Sequence, residues 1–461
     1  MMEQTQFIHN EESYHEHMIR KYERQIKDGN LEIGDPKRGA PDVINLKFLE
    51  KFNIQTLKIY TNNVMSVKLR NMTIKVLTLG KYIKQYKFYL QVDDLELENL
   101  EVLDLQDNKL ENYQLYNLAK FKKLHSLNIS RNNVDLTHIH MVSSLTKLYM
   151  RHCGLLNIDQ VSQLVNLEEL DLSENKGIKD ITPLCKIKSL TKLFMHRCGL
   201  NIIDKIMSLT YLEVLEMSSN LLMNISSIGQ LTNLKELDIS KNCGLDITPL
   251  QDLTGLIKLN LSNCGLQQLS ALKKLINLQF LDLSNNYINN INELQYLKNL
   301  TYLNLNNCEI VSVCSLRPLQ KLEELDLSFN NIVYPDANIN EMTKLRFLKV
   351  QRNRINYIYF ASLVQHQYYK NIDQNGKRCF KINHQTTPSQ KQLFKANKLR
   401  CIESQNLQLK EIQNQHKSLK TTINSFKNEI NATFNNARQS QIQFTSSVIR
   451  LFQLLNQFGF E

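Results

Sequence analysis

One frame, L-x-x-L-x-L-x-x-[N/C], recurs twelve times between Leu100 and Ile355, and each copy closes on an asparagine or a cysteine. The closing positions are Asn108, Asn132, Cys153, Asn175, Cys198, Asn220, Asn242, Cys264, Asn286, Cys308, Asn330 and Asn353, spaced by 21 to 24 residues and most often by 22. A unit this short cannot bury its own leucines, so neighbouring copies must stack and share one continuous core; the repeat dictates a solenoid. Within a copy the L-x-L segment alternates apolar with polar, as in Leu281-Asp282-Leu283-Ser284, which is the period of a half-buried strand. The strands are therefore expected to stack in parallel with leucines inward. The Asn rung turns inward where the chain leaves the strand, and there its amide can bond backbone groups that would otherwise be buried and unpaired. The second half of each copy, for example Asp180-Ile181-Thr182-Pro183-Leu184 or Asp246-Ile247-Thr248-Pro249-Leu250, has room for a turn or one helical turn.

Both flanks depart from the frame. Two degenerate copies precede it, one on Ile54, Leu57, Ile59 and Asn62, the other on Ile74, Leu77, Leu79 and Tyr82, which brings the expected total to fourteen. Upstream, Asn10 to Lys27 carries Tyr14, Met18, Ile19, Tyr22 and Ile26 at helical spacing, and residues 1–53 are expected to cap the exposed end of the core. Downstream the pattern fades through Tyr357, Ile358, Phe360 and Leu363, residues 364–387 read as a linker, and Pro388 opens a helical segment over 388–461. Its apolar stripe shifts by one after Ile430, which leaves both a coiled coil and a packed amphipathic helix open.

The net charge of +11 is concentrated in that last segment: residues 354–461 hold 15 basic and 5 acidic side chains, whereas residues 54–353 hold 33 and 30. Contact with nucleic acid or an anionic membrane through the tail is thus an alternative function, though its few clustered charges favour a packed helix. No run of about 18 apolar residues exists and the first twenty residues lack an apolar core, so cytoplasm or nucleus is the expected compartment. The cysteines fit this expectation, since Cys153, Cys198, Cys264 and Cys308 replace Asn as buried thiols. Members of each of the pairs Cys153/Cys198 and Cys264/Cys308 are two copies apart, too far for a bridge; Cys243 and Cys264 lie on neighbouring copies and could approach one another.

The frame, the dominant step of 22 and the D-I-T-P-L segment resemble the leucine-rich repeat class of the protein phosphatase 1 regulatory subunit and of internalins, over residues 54–363. The layout is also similar to protist intracellular leucine-rich repeat families. The resemblance implies an α/β solenoid, a leucine-rich repeat horseshoe of 12–14 repeats with a parallel concave β-sheet, a helical N-terminal cap and an α-helical C-terminal tail. It implies a binding module without catalysis or cofactor, and as an alternative a regulatory subunit of a phosphatase.

On such a sheet the positions alternating with leucine form one continuous face. One copy offers Lys147, Tyr149, Arg151 and His152, the next Glu169, Asp171, Ser173 and Glu174, the next Lys192, Phe194, His196 and Arg197. Further along come Phe280, Tyr302, Phe329, Phe347 and Arg352. Exposed aromatic and arginine side chains among alternating charges are the composition of a protein-binding surface. Asp171, Asp238, Asp282 and Asp326, by contrast, read as a repeated solubilising consensus. The sequence holds no H-E-x-x-H, C-x-x-C, G-x-S-x-G or glycine-rich phosphate loop, and His152 and His196 lie two copies apart, so neither an enzyme nor a metal site is expected. An unidentified protein ligand on the concave face, with self-association through the C-terminal helix as a second contact, is the expected partnership.

Overall fold

The computed structural model describes residues 19–34, 46–60, 69–70, 73–80, 94–333, 339 and 342–355. The chain divides into two compact units, Met1–Gln385 and Thr386–Glu461, and every described residue belongs to the first. The expected linker, C-terminal helix, far-end closure and the bulk of the N-terminal helix lie outside the described residues. Of that last helix, residues 19–23 are helical, and Tyr22 is buried in the core.

Among the described residues, fifteen strands form one parallel sheet in strict chain order. Fourteen of them are the expected copies, from Thr56–Tyr60 and Val76–Gly80 through Lys147–Tyr149, Glu169–Asp171 and Lys192–Phe194 to Phe347–Lys349. The fifteenth, Asn30–Ile33, lies inside the expected cap and pairs with Thr56–Tyr60, so part of the cap is sheet rather than helix. Leu31 and Ile33 alternate with exposed residues there and supply the inward face that a strand at the end of the core needs. Register is unshifted along the stack, with Leu148, Leu170, Leu193 and Leu215 facing one another. All four are 0% exposed, and full burial of a leucine is worth about 1.5–3 kcal/mol.

The copies from Val102–Asp104 to Tyr302–Asn304 close their second halves with short 3-10 turns such as Thr182–Lys186 or Thr248–Asp252, with Pro183 and Pro249 near the start. The aspartate of D-I-T-P-L prepares this turn: Asp180 Oδ1 accepts the Thr182 N–H at 2.8 Å and Asp246 Oδ1 that of Thr248 at 2.9 Å.

The ladder has a definite geometry. Asn286 Oδ1 accepts the N–H groups of Cys264 and Leu266 in the preceding copy, both at 3.0 Å. Its Nδ2 donates to Leu261 O at 2.9 Å and to Leu283 O at 2.7 Å. Asn132, Asn175, Asn220 and Asn330 repeat this four-bond clamp. A cysteine rung does less. Cys308 Sγ donates to Leu283 O at 3.1 Å, and the rung's own N–H is accepted by the asparagine of the next copy. No two cysteine rungs are adjacent in the stack, so every cysteine is followed by an asparagine that can do this.

The seven described cysteines are free thiols, including Cys243 and Cys264. Burial pushes the thiols of Cys153 and Cys198 up to about 11 and those of Cys264 and Cys308 up to about 12. A folded-state pKa above the unfolded value contributes stability that is present below the ordinary thiol range near 9 and is lost as pH rises through the folded values. Two outcomes are expected: a thiol reagent at pH 8 labels exposed Cys314 rapidly and leaves the four rung thiols unlabelled until denaturant is added, and Tm falls between pH 9 and 11. Rapid native labelling of Cys264 would contradict the packing.

Candidate functional site

Four outward rows run across the copies. Two are the strand positions flanking the central leucine, for instance Lys147 and Tyr149; the third contains the half-buried Arg151 and His196, with small counterparts such as Ser173 that are buried between them. The fourth is the residue just before each rung, and here the structure departs from simple alternation. His152, Arg197, Phe329 and Arg352 sit beyond the strand with left-handed backbone, at φ 56°, 54°, 60° and 61°. Arg131, Glu174, Ser219, Lys241, Asn263, Asn285 and Asn307 do the same. The conformation costs a non-glycine residue about 1 kcal/mol or more, and it is held by pairing between copies: His152 N–H donates to Ser173 O at 2.9 Å and Arg197 N–H to Ser218 O at 3.0 Å. These four side chains therefore leave from a turn along the edge of the face rather than from the strands themselves.

The middle of the face is organised by two carboxylates on one strand copy. Glu174 receives Arg151 Nη2 at 2.9 Å from the copy before, and lies 3.5 Å from His152 Nδ1, 3.6 Å from His196 Nε2 and 3.7 Å from Arg197 Nη1. Glu169 accepts the Tyr149 hydroxyl at 2.8 Å and lies between Lys147 at 4.0 Å and Lys192 at 3.7 Å. Five of the expected contact residues, Tyr149, Arg151, His152, His196 and Arg197, are thus drawn together, and Phe194 stands half-buried in the same row as Tyr149 and Asp171. Phe280 and Tyr302 form a separate group, stacked at 4.3 Å with rings 5° from parallel, while Phe329 and Phe347 are each 43% exposed. Alternation alone did not show that Glu169 and Glu174 hold the others; the alternating charge of three consecutive copies was the available signal.

The repeated aspartates have a local role. Oδ1 of Asp171, Asp238, Asp282 and Asp326 accepts the N–H two residues on, at 2.8 to 2.9 Å. Asn128, Asn260 and Asn304 do the same at 3.0 to 3.1 Å, so the turn requires the oxygen and not the charge. Among the described residues no group of three His, Cys, Asp or Glu side chains comes together as metal ligands would, and no helix is long and apolar enough to cross a membrane.

Charge geometry sets opposite pH behaviour at two carboxylates. The Arg151 hydrogen bond holds Glu174 below the ordinary carboxyl range. Burial, then Asp238, Asp171 and Glu236, raise Glu216. Glu174 therefore stabilises the fold above its unfolded pKa, and the contribution is lost as pH falls through the lowered folded value. Glu216 has the reverse sign: its unfavourable ionisation is felt as pH rises through the carboxyl range. Glu174→Gln is expected to lower Tm at pH 7 and Glu216→Gln to raise it, with both differences shrinking below pH 4. Melting curves of the two variants at pH 7 and pH 3.5 check this, and equal signs at pH 7 would contradict the charge arrangement.

Family models described as leucine-rich repeats match residues 143–186, as two copies, and residues 319–333. Among solved structures the chain is similar to an internalin from Listeria monocytogenes, at 26% identity and TM-score 0.52, with 60% of this chain and 89% of that one covered. A leucine-rich repeat protein of Leptospira interrogans aligns at 24% identity and TM-score 0.58, over 70% of this chain and 90% of that one. The functional domain of InlJ from Listeria monocytogenes, described as including a cysteine ladder, aligns at 22% identity and TM-score 0.50, covering 71% and 64%. A comparison with curated proteins finds no match.

Proposed function

We propose that this chain, a leucine-rich repeat protein, is a non-catalytic scaffold that captures a protein partner on the outward face of its parallel sheet, through the group centred on Tyr149, Phe194 and Arg197. Leucine-rich repeat proteins generally mediate protein–protein interaction, and the fold supports that reading here. The carrying observation is preorganisation. Glu169 and Glu174 fix aromatic and cationic side chains from three adjacent copies before any partner arrives. Immobilising a flexible side chain on binding costs about 0.5–1.5 kcal/mol, and part of that cost has already been met in the free protein.

The proposed setting is intracellular, with the tail as a second contact or a site of self-association. The test is a quantitative pull-down from native lysate with the intact chain and with Tyr149→Ala, Phe194→Ala, Arg197→Ala combined, Tm measured in parallel. Loss of one abundant protein at unchanged Tm supports the proposal. Identical captures by both baits would sink it. A phosphatase captured in near-stoichiometric amount would instead favour the regulatory-subunit alternative.

A further inference from the structure

The cations near Tyr149 are largely neutralised within the face, because Glu174 and Glu169 meet Arg151, Arg197, Lys147 and Lys192. The next copies are different. From Val214 to Phe329 the outward rows hold six carboxylates, Glu216, Glu236, Asp238, Asp282, Glu324 and Asp326, against Lys241 and Lys258. Lys258 pairs with Glu236 at 2.7 Å, and Lys349 reaches Asp326 at 3.2 Å from the following copy. For Glu216, Asp282 and Glu324 the structure shows no ion pair among the described residues.

Aromatic surface occupies the same copies. The stacked Phe280–Tyr302 pair lies among Asp282, Glu324 and Asp326, whose charges, after burial, push the Tyr302 hydroxyl up. Phe329 and Phe347 add two exposed rings on the following copies. Folding does not require these charges. Asn260 and Asn304 make the same local turn as Asp282, and Glu216 faces three like charges, which is unfavourable in the free protein. Aromatic faces attract lysine and arginine head groups while covering their methylene stems, and nearby carboxylates add directional partners.

We propose that the sheet face from Glu216 to Phe347 receives a polypeptide segment of a partner protein carrying several lysine or arginine residues, with its cations against Glu216, Asp282 and Glu324 and its stems on Phe280 and Tyr302. The inference rests on the sheet face being the binding surface, and it adds the chemistry of the ligand. It concerns the copies that follow the Tyr149 group, Glu216 lying opposite Phe194 in register and Phe280, Asp282 and Glu324 farther along, so the two are tested with separate variants.

The experiment is fluorescence anisotropy of the full chain with three labelled twelve-residue peptides that alternate glycine with arginine, glutamine or glutamate. The arginine peptide is expected to bind at least tenfold more tightly than the glutamine peptide and to weaken steeply from 50 to 300 mM salt, while the glutamate peptide does not bind. Combined Glu216→Gln, Asp282→Asn and Glu324→Gln is expected to weaken the arginine peptide at least tenfold without lowering Tm. Separate Phe280→Leu and Tyr302→Leu variants are expected to weaken it severalfold at every salt concentration.

Equal affinity for the arginine and glutamine peptides, or an amide variant that binds like the parent, overturns the proposal. Concentration-dependent self-association that the amide substitutions abolish also overturns it, by assigning this face to a second copy. Retention of arginine-peptide binding by the Tyr149→Ala, Phe194→Ala, Arg197→Ala protein is expected. If lysate capture still depends on those three residues after the peptide result fails, the binding-module reading stands without this ligand.

Discussion

Asn286→Ala is expected to split the unfolding of this protein into two transitions and to destabilise the copies around it by about 4 kcal/mol. The substitution strands the N–H groups of Cys264 and Leu266 and the carbonyl of Leu261, all in buried backbone, and leaves the Leu283 carbonyl with the weaker Cys308 thiol donor. Leaving a buried polar group unpaired costs about 1–3 kcal/mol, and water entering the space left by the amide recovers part of the sum for three groups. The stability of a solenoid is approximately a sum of copy and neighbour terms, so damage at one interface uncouples the copies on either side instead of unfolding everything at once. Urea melts followed by circular dichroism check this. Asn285→Ala is the matched control, because Asn285 is exposed and its amide is no part of the clamp; a loss of about 1 kcal/mol is expected there, from placing alanine on left-handed backbone. Cys308→Ala should fall between the two, since it removes one thiol donor and little volume. A single cooperative transition for Asn286→Ala, with a midpoint close to that of the parent, would contradict the clamp.

The second large effect concerns binding. With the captured partner purified, Tyr149→Ala, Phe194→Ala and Arg197→Ala together are expected to weaken its affinity by about two orders of magnitude or more, with aromatic and arginine anchors each contributing about 1–2 kcal/mol. The single substitutions will not sum to that figure. Tyr149 donates to Glu169, and Arg197 sits beside Glu174, so removing either loosens side chains that the others rely on. Titration calorimetry on the singles and the combination measures both the loss and the coupling. Folding is expected to survive, because the three side chains face outward and Arg197→Ala retains the same left-handed backbone cost. An affinity loss below threefold for the combination would move the contact elsewhere.

The solenoid was legible because its determinants are one-dimensional. Leucines at fixed spacing and an Asn or Cys rung specify strand, stacking and register without any long-range guess, and Leu148, Leu170 and Leu193 meet as the alternation requires. Two features were less accessible. The strand Asn30–Ile33 stands outside the repeat frame, so its alternation competed with a longer helical pattern before it. The left-handed residue before each rung is concealed by Arg, His, Glu and Phe, which seldom adopt that backbone; asparagine at 263, 285 and 307 was the one compositional trace of it.

The candidate site was legible as a set of exposed side chains but not as a network. Arg151, His152, His196 and Arg197 come from two copies that are not adjacent, and their meeting at Glu174 depends on side-chain reach across the intervening strand. Spacing in sequence specifies which row a residue occupies. It does not specify which neighbour its head group meets, so the internal neutralisation of the basic cluster, and the carboxylates without an ion pair further along, follow only from the three-dimensional arrangement.

The central claim is that the sheet face is the surface that meets the partner. A photo-crosslinking amino acid placed at Phe194, on the face, and in a separate protein at Tyr211, which is 63% exposed outside the strands, tests it most directly in native lysate. Position 194 is expected to yield one dominant adduct with the protein captured by the intact chain, and position 211 none. An adduct of that protein from 211, with none from 194, would place the binding surface off the sheet and contradict the account.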